Sequence, residues 1–286
     1  MRGNRPDRRL EQAVAESLAL AAGETIVVAA SGGPDSTALA ALTASAAAEA
    51  GAHALLAYVN HGQRPGAWQD EAVVVALAGR LGQAVRVLPL ALPPRASEAR
   101  LRSERYAKLA ALAVASGATR VAVAHHAEDQ TETVLLALFR GTGPAGLTGM
   151  APERDLASGV RIVRPLLRFD RRRLLDYCLR AQLPFALDPT NDDRRFRRNA
   201  VRAALAELRT QFPRLDEAVA RCAAIAGDEA QASPRARVRS RLRSLLADRA
   251  ALADVTFERL DAVAQAIERS RPGRHFVARG VDVTIR

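Results

Sequence analysis

Short apolar runs alternate with longer helical stretches through the first half of the chain. Residues 25 to 30, Thr-Ile-Val-Val-Ala-Ala, read as a buried strand. They run into the loop Ser31-Gly32-Gly33-Pro34-Asp35-Ser36, and an Ala/Leu-rich helical stretch continues to about Glu49. Ala54 to Val59 is a second apolar run, ending at Asn60-His61-Gly62 ahead of a helical stretch from about Trp68 to Leu81. Ala84 to Leu90 reads as a strand, Ser97 to Ala115 as a helix, and Arg120 to Ala124 as a buried strand ending at His125-His126. Strands that alternate with helices in this way predict an α/β fold built on a doubly wound parallel sheet. In such sheets ligands bind beyond the carboxyl ends of the strands, near the point where strand order reverses. The loops at Ser31, Asn60 and His125 all belong to that end.

Past Gly141-Thr142-Gly143-Pro144 and Gly146 the apolar rhythm becomes irregular. A basic helix is expected from near Asp170, then a polar loop from Asp188 to Asn199. Residues 214 to 232 read as an Ala-rich helix. A junction at Ser233-Pro234-Arg235 leads to two further helices and a last strand pair, Phe276 to Ile285. The pattern therefore predicts a domain over residues 1–213 and a smaller, mainly helical domain over 214–286, with no internal repeat.

Composition narrows the classes. At 286 residues, 49% hydrophobic and 26% charged, the chain falls in the globular range and can bury a sizeable core. No apolar stretch has the length of a membrane span, and the arginine-rich N-terminus lacks a following hydrophobic segment, so the expected location is the cytoplasm, away from any membrane. Cys178 and Cys222 stand far apart in sequence, which excludes a disulfide framework and any Cys-x-x-Cys site. The formal charge is +11, and Lys108 is the single lysine, so the excess is carried by arginine. Guanidinium groups grip phosphates bidentately, and the balance suits a polyanionic partner.

The Ser31–Ser36 loop follows a strand and opens a helix, so it offers unpaired N–H groups and the positive end of a helix dipole to a phosphate. Gly32 and Gly33 permit close backbone approach, Pro34 suits the first helical turn, and Ser31 and Ser36 add hydroxyl donors. Asp35 is out of place beside phosphates unless a cation such as Mg²⁺ lies between. No Gly-Lys-Ser/Thr follows, which excludes the Walker arrangement. A second constellation, His125-His126-Ala127-Glu128-Asp129-Gln130-Thr131-Glu132-Thr133, packs three carboxylates and two imidazoles into a strand-to-helix transition. Adjacent histidines rarely reach one ion, which argues against zinc. The carboxylates can instead hold an ammonium group, hold magnesium or accept protons.

The loop is similar to the Ser-Gly-Gly-x-Asp-Ser loop of the N-type ATP pyrophosphatases, the PP-loop or adenine nucleotide alpha hydrolase-like superfamily. His-His-x-x-Asp-Gln-x-Glu-Thr, continued by Leu-Leu-x-x-x-x-Arg-Gly-x-Gly and Gly146-Leu147-Thr148-Gly149-Met150, resembles the signature of the tRNA(Ile)-lysidine synthetases. Further matches are Val59-Asn60-His61-Gly62-x-Arg64, Glu98-Ala99 with Arg102 and Arg105-Tyr106, Arg164-Pro165-Leu166-Leu167, and Asp188-Pro189-Thr190-Asn191 with Phe196, Arg198, Asn199 and Arg202. The family often shows Asp where Glu128 stands, and some members carry a further C-terminal domain.

The resemblance implies a ligase that uses ATP and Mg²⁺ to adenylate the wobble cytidine of the isoleucine tRNA with a CAU anticodon, and then free L-lysine to form lysidine. It implies ATP binding by Ser31, Gly32, Gly33, Pro34, Asp35, Ser36, Asn60 and His61, with Asp35 also on Mg²⁺. Glu128, Asp129 and Glu132 are expected to bind lysine. Asp129 is the first candidate base and Glu132 the second. Arg102 and Arg105 are expected to orient the α-phosphate or the lysine carboxylate, and Arg64, Arg140, Arg198 and Arg202 to contact RNA phosphates. A stacking role for a base falls to Trp68, Tyr106 or Phe196, and a second copy of the chain is a candidate partner. Rival readings are a tRNA thiolase of the same loop class, a small-molecule adenylating ligase and a non-catalytic RNA-binding module. The lone cysteines argue against the first, and the basic charge is not needed by the second.

Overall fold

The computed structural model describes residues 7–60, 62, 67–90, 93, 97–186, 197–232, 234–247, 255, 257–269, 272–278 and 281–285. The chain divides into two compact units. Unit 1 takes residues 1–129 and 151–191, and unit 2 takes 130–150 and 192–286. The residue 213 boundary expected from sequence falls inside unit 2.

Unit 1 carries a six-stranded sheet in the order β3-β2-β1-β4-β6-β5. Its strands are β1 (Thr25–Ala29), β2 (His53–Asn60), β3 (Ala84–Pro89), β4 (Arg120–Ala122), β5 (Glu153–Ala157) and β6 (Val160–Val163). All neighbours pair in parallel except β5 with β6. The chain moves outward from β1 through β2 to β3, then returns to place β4 on the other side of β1. Strand order therefore reverses between β1 and β4, and the Ser31 loop and the His125-His126 segment leave the sheet side by side at that point.

Both faces of the sheet are covered, as a parallel sheet requires. Successive β1 residues point opposite ways: Ile26 and Val28 enter a core with Leu10, Leu39, Leu42, Leu56, Leu166 and Leu174. Val27 enters the opposite core with Val59, Leu109, Val121 and Ile162. Helix α2 (Pro34–Ala50) is buried on nearly all sides. Its alanines let it lie close to the sheet while α1 (Arg8–Leu18) and α6 (Arg171–Arg180) pack against its outer side. Helices α3 (Ala67–Leu81) and α4 (Glu98–Ala115) begin close to the sequence expectation, and Ser97 caps α4 by accepting from the Arg100 N–H at 3.3 Å.

Two elements of unit 1 were not anticipated from the sequence. Helix α1 is capped by Asp7, which accepts from the Leu10 N–H, and it buries Leu10, Val14 and Leu18, one face at helical spacing. The β5–β6 hairpin lies in the stretch that reads as irregular. Strand β5 sits at the sheet edge and is mostly exposed, so it has no apolar alternation to announce it.

Helix α5 (Ala127–Leu138) begins in unit 1, and the division falls after Asp129. The rest of unit 2 is helical over α7 (Arg197–Gln211), α8 (Leu215–Ala232), α9 (Pro234–Ala247) and α10 (Phe257–Glu268), ending in the hairpin β7 (Gly273–Ala278) with β8 (Val281–Ile285). A small core joins Leu242, Leu246, Leu260 and Val263. Within this unit the Gln130 side chain clips the Met150 backbone twice: its Nε2 donates to the Met150 carbonyl at 3.1 Å, and its Oε1 accepts the Met150 N–H at 2.7 Å. Gly149 turns the chain there at φ +69°, and a Cβ would stand 2.7 Å from the Gln130 amide. The glycine at that place in the motif thus has a steric cause.

Candidate active site

The loop after β1 is a hydroxyl-braced cradle at the N-terminus of α2. Ser36 Oγ accepts the Ser31 N–H at 3.0 Å and donates to the Gly33 carbonyl at 3.0 Å, while the two serine hydroxyls are 3.0 Å apart. Gly32 holds φ +86°, and a Cβ there would lie 3.2 Å from the Asp70 carbonyl oxygen, so both conformation and space require glycine. Gly33 is the N-cap of α2 and Pro34 its first residue. Beside Gly33 a Cβ would meet only the Ser31 hydroxyl, at 3.8 Å, leaving room for an anion over the helix N-terminus. The Gly32 carbonyl accepts the Ala186 N–H at 2.8 Å, and the Cys178 thiol donates to the Pro34 carbonyl.

Across the switch point His126 is buried among three carboxylates. Its Nδ1 is 2.8 Å from Glu128 Oε2, and its Nε2 is 3.4 Å from Asp129 Oδ2 and 3.7 Å from Asp35 Oδ2. Burial by itself disfavours the imidazolium, but the Glu128 hydrogen bond and the charges of Asp129 and Asp35 outweigh it, so the His126 pKa is raised. The Glu128 pKa is lowered: burial opposes ionisation, yet the contact with His126 and the Arg171 N–H, which donates to both of its oxygens at 3.0 and 3.1 Å, prevail. Glu128 thereby braces the start of α6. Asp35 behaves oppositely, because burial dominates and raises its pKa despite His126 and Arg171 nearby.

One oxygen of Asp35, Oδ1, is buried without a hydrogen-bond partner, while Oδ2 is 3.5 Å from the Arg171 guanidinium. A buried carboxylate with an unsatisfied oxygen beside a phosphate cradle has the chemistry of a hard-cation ligand, and Mg²⁺ fits it. Among the described residues, no cluster of three His, Cys, Asp or Glu side chains has the arrangement of a complete protein-made metal site. Phosphate oxygens and water normally complete a magnesium shell.

The structure distributes the remaining expected residues unevenly. Asn60 ends β2 with its amide engaged: Nδ2 donates to Glu71 and Oδ1 accepts the Gly62 N–H. Glu132 is buried in unit 2, where Arg202 donates to both of its oxygens at 2.8 and 3.2 Å. Two residues expected to face different ligands are thus partners of each other. Arg140 is exposed after α5. His61, Arg64 and the 188–191 and Phe196 matches lie outside the described residues, as does the side chain of Arg198 in α7. Tyr106 is buried, with the guanidinium groups of Arg102, Arg105 and Arg154 over its ring, so it is not an open stacking platform, whereas Trp68 is exposed. The partners of Gln130, Arg164 and Arg171, and any part for Arg154, emerged only in three dimensions. Burial pushes the Cys178 thiol up to about 12 and leaves it inert at neutral pH.

A parallel sheet with this cradle at its switch point defines an α/β nucleotide-binding domain of the PP-loop class, and residues 4–208 match the family described as a PP-loop domain. A tRNA(Ile)-lysidine synthase of Methylobacterium sp. (strain 4-46) is 40% identical over 224 residues, which cover 73% of this chain and 64% of that protein. The protein of the same name from Methylobacterium nodulans is 38% identical over 262 residues, covering 90% and 70%. That from Gloeobacter violaceus is 40% identical over 201 residues, covering 70% and 62%. The chain belongs to the tRNA(Ile)-lysidine synthase family, and it spans 62 to 70% of the length of these three relatives. A solved structure of the U34-tRNA thiolase NcsA from Methanococcus maripaludis, with its [4Fe-4S] cluster, shares the fold at a TM-score of 0.66 and 15% identity, over 77% of this chain and 78% of that one. No helix among the described residues is long and apolar enough to cross a membrane.

Proposed function

We propose that this chain is a ligase that joins free L-lysine to the wobble cytidine of an isoleucine tRNA with a CAU anticodon, consuming ATP and releasing AMP and pyrophosphate. The observation that carries the reading is the meeting of the Ser31–Ser36 cradle with Asp35, Glu128 and Asp129 around His126 at the sheet's switch point. A phosphate-gripping loop alone serves many ATP users. A loop faced by carboxylates serves one that must also handle a cationic nucleophile.

The amides capping α2 and the Ser31 and Ser36 hydroxyls hold the β and γ phosphates, which leave as pyrophosphate when the cytosine carbonyl oxygen attacks the α-phosphorus. Asp35 would hold Mg²⁺ together with the phosphates, and the ion would supply positive charge to the leaving pyrophosphate. Lysine arrives protonated at its ε-nitrogen. Asp129 anchors the ammonium and takes a proton from it, and the free amine attacks the activated ring carbon and expels AMP. Glu132 is the second candidate for base. His126 positions Asp129 and Asp35 by lying between them. The anticodon loop supplies a base that is already single-stranded, so little duplex is opened.

Incubation with ATP, labelled lysine and bulk tRNA tests the reading. ATP-dependent label in acid-precipitable RNA is expected, and Asp129→Ala should cut it by about 100-fold or more. AMP formation that needs no RNA points to a small-molecule ligase and overturns the proposal, as does sulfur rather than lysine incorporation. Cys178 is buried and inert, and the exposed Cys222 has no second cysteine beside it in sequence, which weighs against the thiolase reading.

A further inference from the structure

Beyond the end of the sheet, one hydrogen bond decides which nitrogen of a histidine carries its proton. Strands β4 and β6 are parallel neighbours with Ala122 opposite Val163, and the Val123 N–H extends the ladder by donating to the Val163 carbonyl at 3.0 Å. The two segments leave the sheet together, so His125 and Arg164, 39 residues apart, come side by side at the carboxyl end of the strands. Arg164 is 5% exposed and its guanidinium is held at two points: Nη1 donates to the Ala151 carbonyl at 2.6 Å, and Nε donates to His125 Nδ1 at 3.3 Å. Its backbone N–H donates to the Pro152 carbonyl at 2.8 Å, which fixes the main chain as well.

A guanidinium has protons to give and no lone pair to offer, so Arg164 Nε donates and His125 Nδ1 accepts. Burial brings the Arg164 pKa down to about 10, which leaves the group cationic at neutral pH, and the direction of the bond stands. A neutral imidazole whose Nδ1 accepts carries its proton on Nε2. A second proton, on Nδ1, would set two N–H groups head to head beside a fixed cation. His125 is therefore built to donate a hydrogen bond and not to collect a proton from the lysine ammonium.

We infer that Arg164 is a positioning residue that locks His125 in the tautomer protonated on Nε2, and that this N–H binds an oxygen of the α-phosphoryl group of ATP, a role that rests on the ATP-dependent reading above and deepens it. Strand β4 is the immediate neighbour of β1, about 4.8 Å away at the usual strand spacing, and the loop leaving β1 is the one assigned to the β and γ phosphates. On the other side α5 starts at Ala127, two residues after His125, and carries Asp129, the proposed lysine anchor. The part of ATP that belongs between phosphate cradle and amine is the α-phosphoryl group, where the cytosine oxygen attacks. Glu128 and Asp129 repel its oxygens. A neutral donor beside them supplies a bond to the oxyanion without cancelling the attraction of these acids for the ammonium. The lysine carboxylate is the other oxyanion of the reaction, and binding and kinetics separate the two.

The test uses the full chain with isotopically labelled imidazole nitrogens in its five histidines. Long-range nitrogen–proton correlation spectra distinguish a protonated ring nitrogen from an accepting one, and the His125 signals are those missing from His125→Gln. At neutral pH wild-type His125 should show Nε2 protonated and Nδ1 accepting, and the Nε2 signal should move when a non-hydrolysable Mg·ATP analogue is added but not with lysine alone. Arg164→Gln offers an amide that can donate or accept, so both tautomers should appear, and calorimetry should find the analogue bound about tenfold more weakly, the worth of one bond to a charged group. His125→Ala should weaken the analogue equally, and His125→Gln, whose amide NH₂ can stand where the Nε2–H stood, should recover part of the loss. Lysine KM should stay unchanged in all three. A wild-type ring protonated on Nδ1, or exchanging between tautomers, overturns the inference without any variant having to fold. A single tautomer retained in Arg164→Gln, or a loss confined to lysine KM, does so too. The assigned tautomer and analogue binding in a chain that forms no lysidine would sink the proposed function and leave the lock standing; a chain that binds no analogue overturns both.

Discussion

The pairing of Glu132 with Arg202 makes an asymmetric stability prediction. Glu132 is 1% exposed, whereas Arg202 is 34% exposed and donates to both carboxylate oxygens. Arg202→Ala removes the cation that offsets a buried negative charge, and breaking such a pair costs about 3–5 kcal/mol. Water reaches the arginine side, so the low end, about 3 kcal/mol, is expected. Glu132→Gln leaves a guanidinium that can recruit water, and the new amide oxygen still accepts one of the two bonds. That change should cost only about 1–1.5 kcal/mol. The double variant should cost less than the sum by at least about 1 kcal/mol, because the pair is lost only once. Urea unfolding followed by far-ultraviolet circular dichroism reads the helices of both units, and Trp68 fluorescence reads unit 1 alone, so a transition seen only by circular dichroism belongs to unit 2. A larger cost for Glu132→Gln than for Arg202→Ala, or strict additivity, would refute the view that burial of the carboxylate governs the pair.

Three further outcomes follow from the site. Gly32→Ala should destabilise by about 1–3 kcal/mol and weaken ATP binding, since φ +86° and the 3.2 Å approach to Asp70 both oppose a Cβ; thermal melts with and without ATP check it. The Asp35 pKa is raised on folding, so its contribution favours the fold below the free carboxylate value and is lost as pH rises through the folded value. At neutral pH it therefore opposes folding, and Asp35→Asn should abolish AMP formation without lowering the melting temperature of the nucleotide-free protein; a marked drop would contradict the cost assigned to burying the Asp35 carboxylate. The His126 pKa is also raised, so its stabilising effect is full below the free imidazole value of about 6.5 and fades as pH rises through the folded one. His126→Gln should flatten the decline of stability over that window, and a variant with an unchanged pH profile would remove His126 from the account.

The cradle and the alternating strands were legible from sequence because both depend on local order. A loop between a strand and a helix has its amides where the backbone puts them, and period-two burial of Ile26, Val27 and Val28 follows from strand geometry alone. The density of acids from Glu128 to Glu132 was equally visible, yet their division of labour was not. Glu128 braces the Arg171 N–H, 43 residues on, and Glu132 pairs with Arg202, 70 residues on. Neither partner can be chosen from spacing when the chain offers many arginines.

What the sequence by itself determined is the class of fold and the loop that opens α2 with its amides unpaired, since hydrophobic periodicity and loop chemistry are properties of neighbouring residues. Only the tertiary structure decided which charges meet. It set the strand order that brings Asp35 to His126, the exposed edge strand β5 that carries Arg154 to Tyr106, and the glycine at 149 that lets Gln130 hold Met150. The reason is that electrostatic partners are selected by distance in space, and distance between remote residues is fixed by how the sheet is wound.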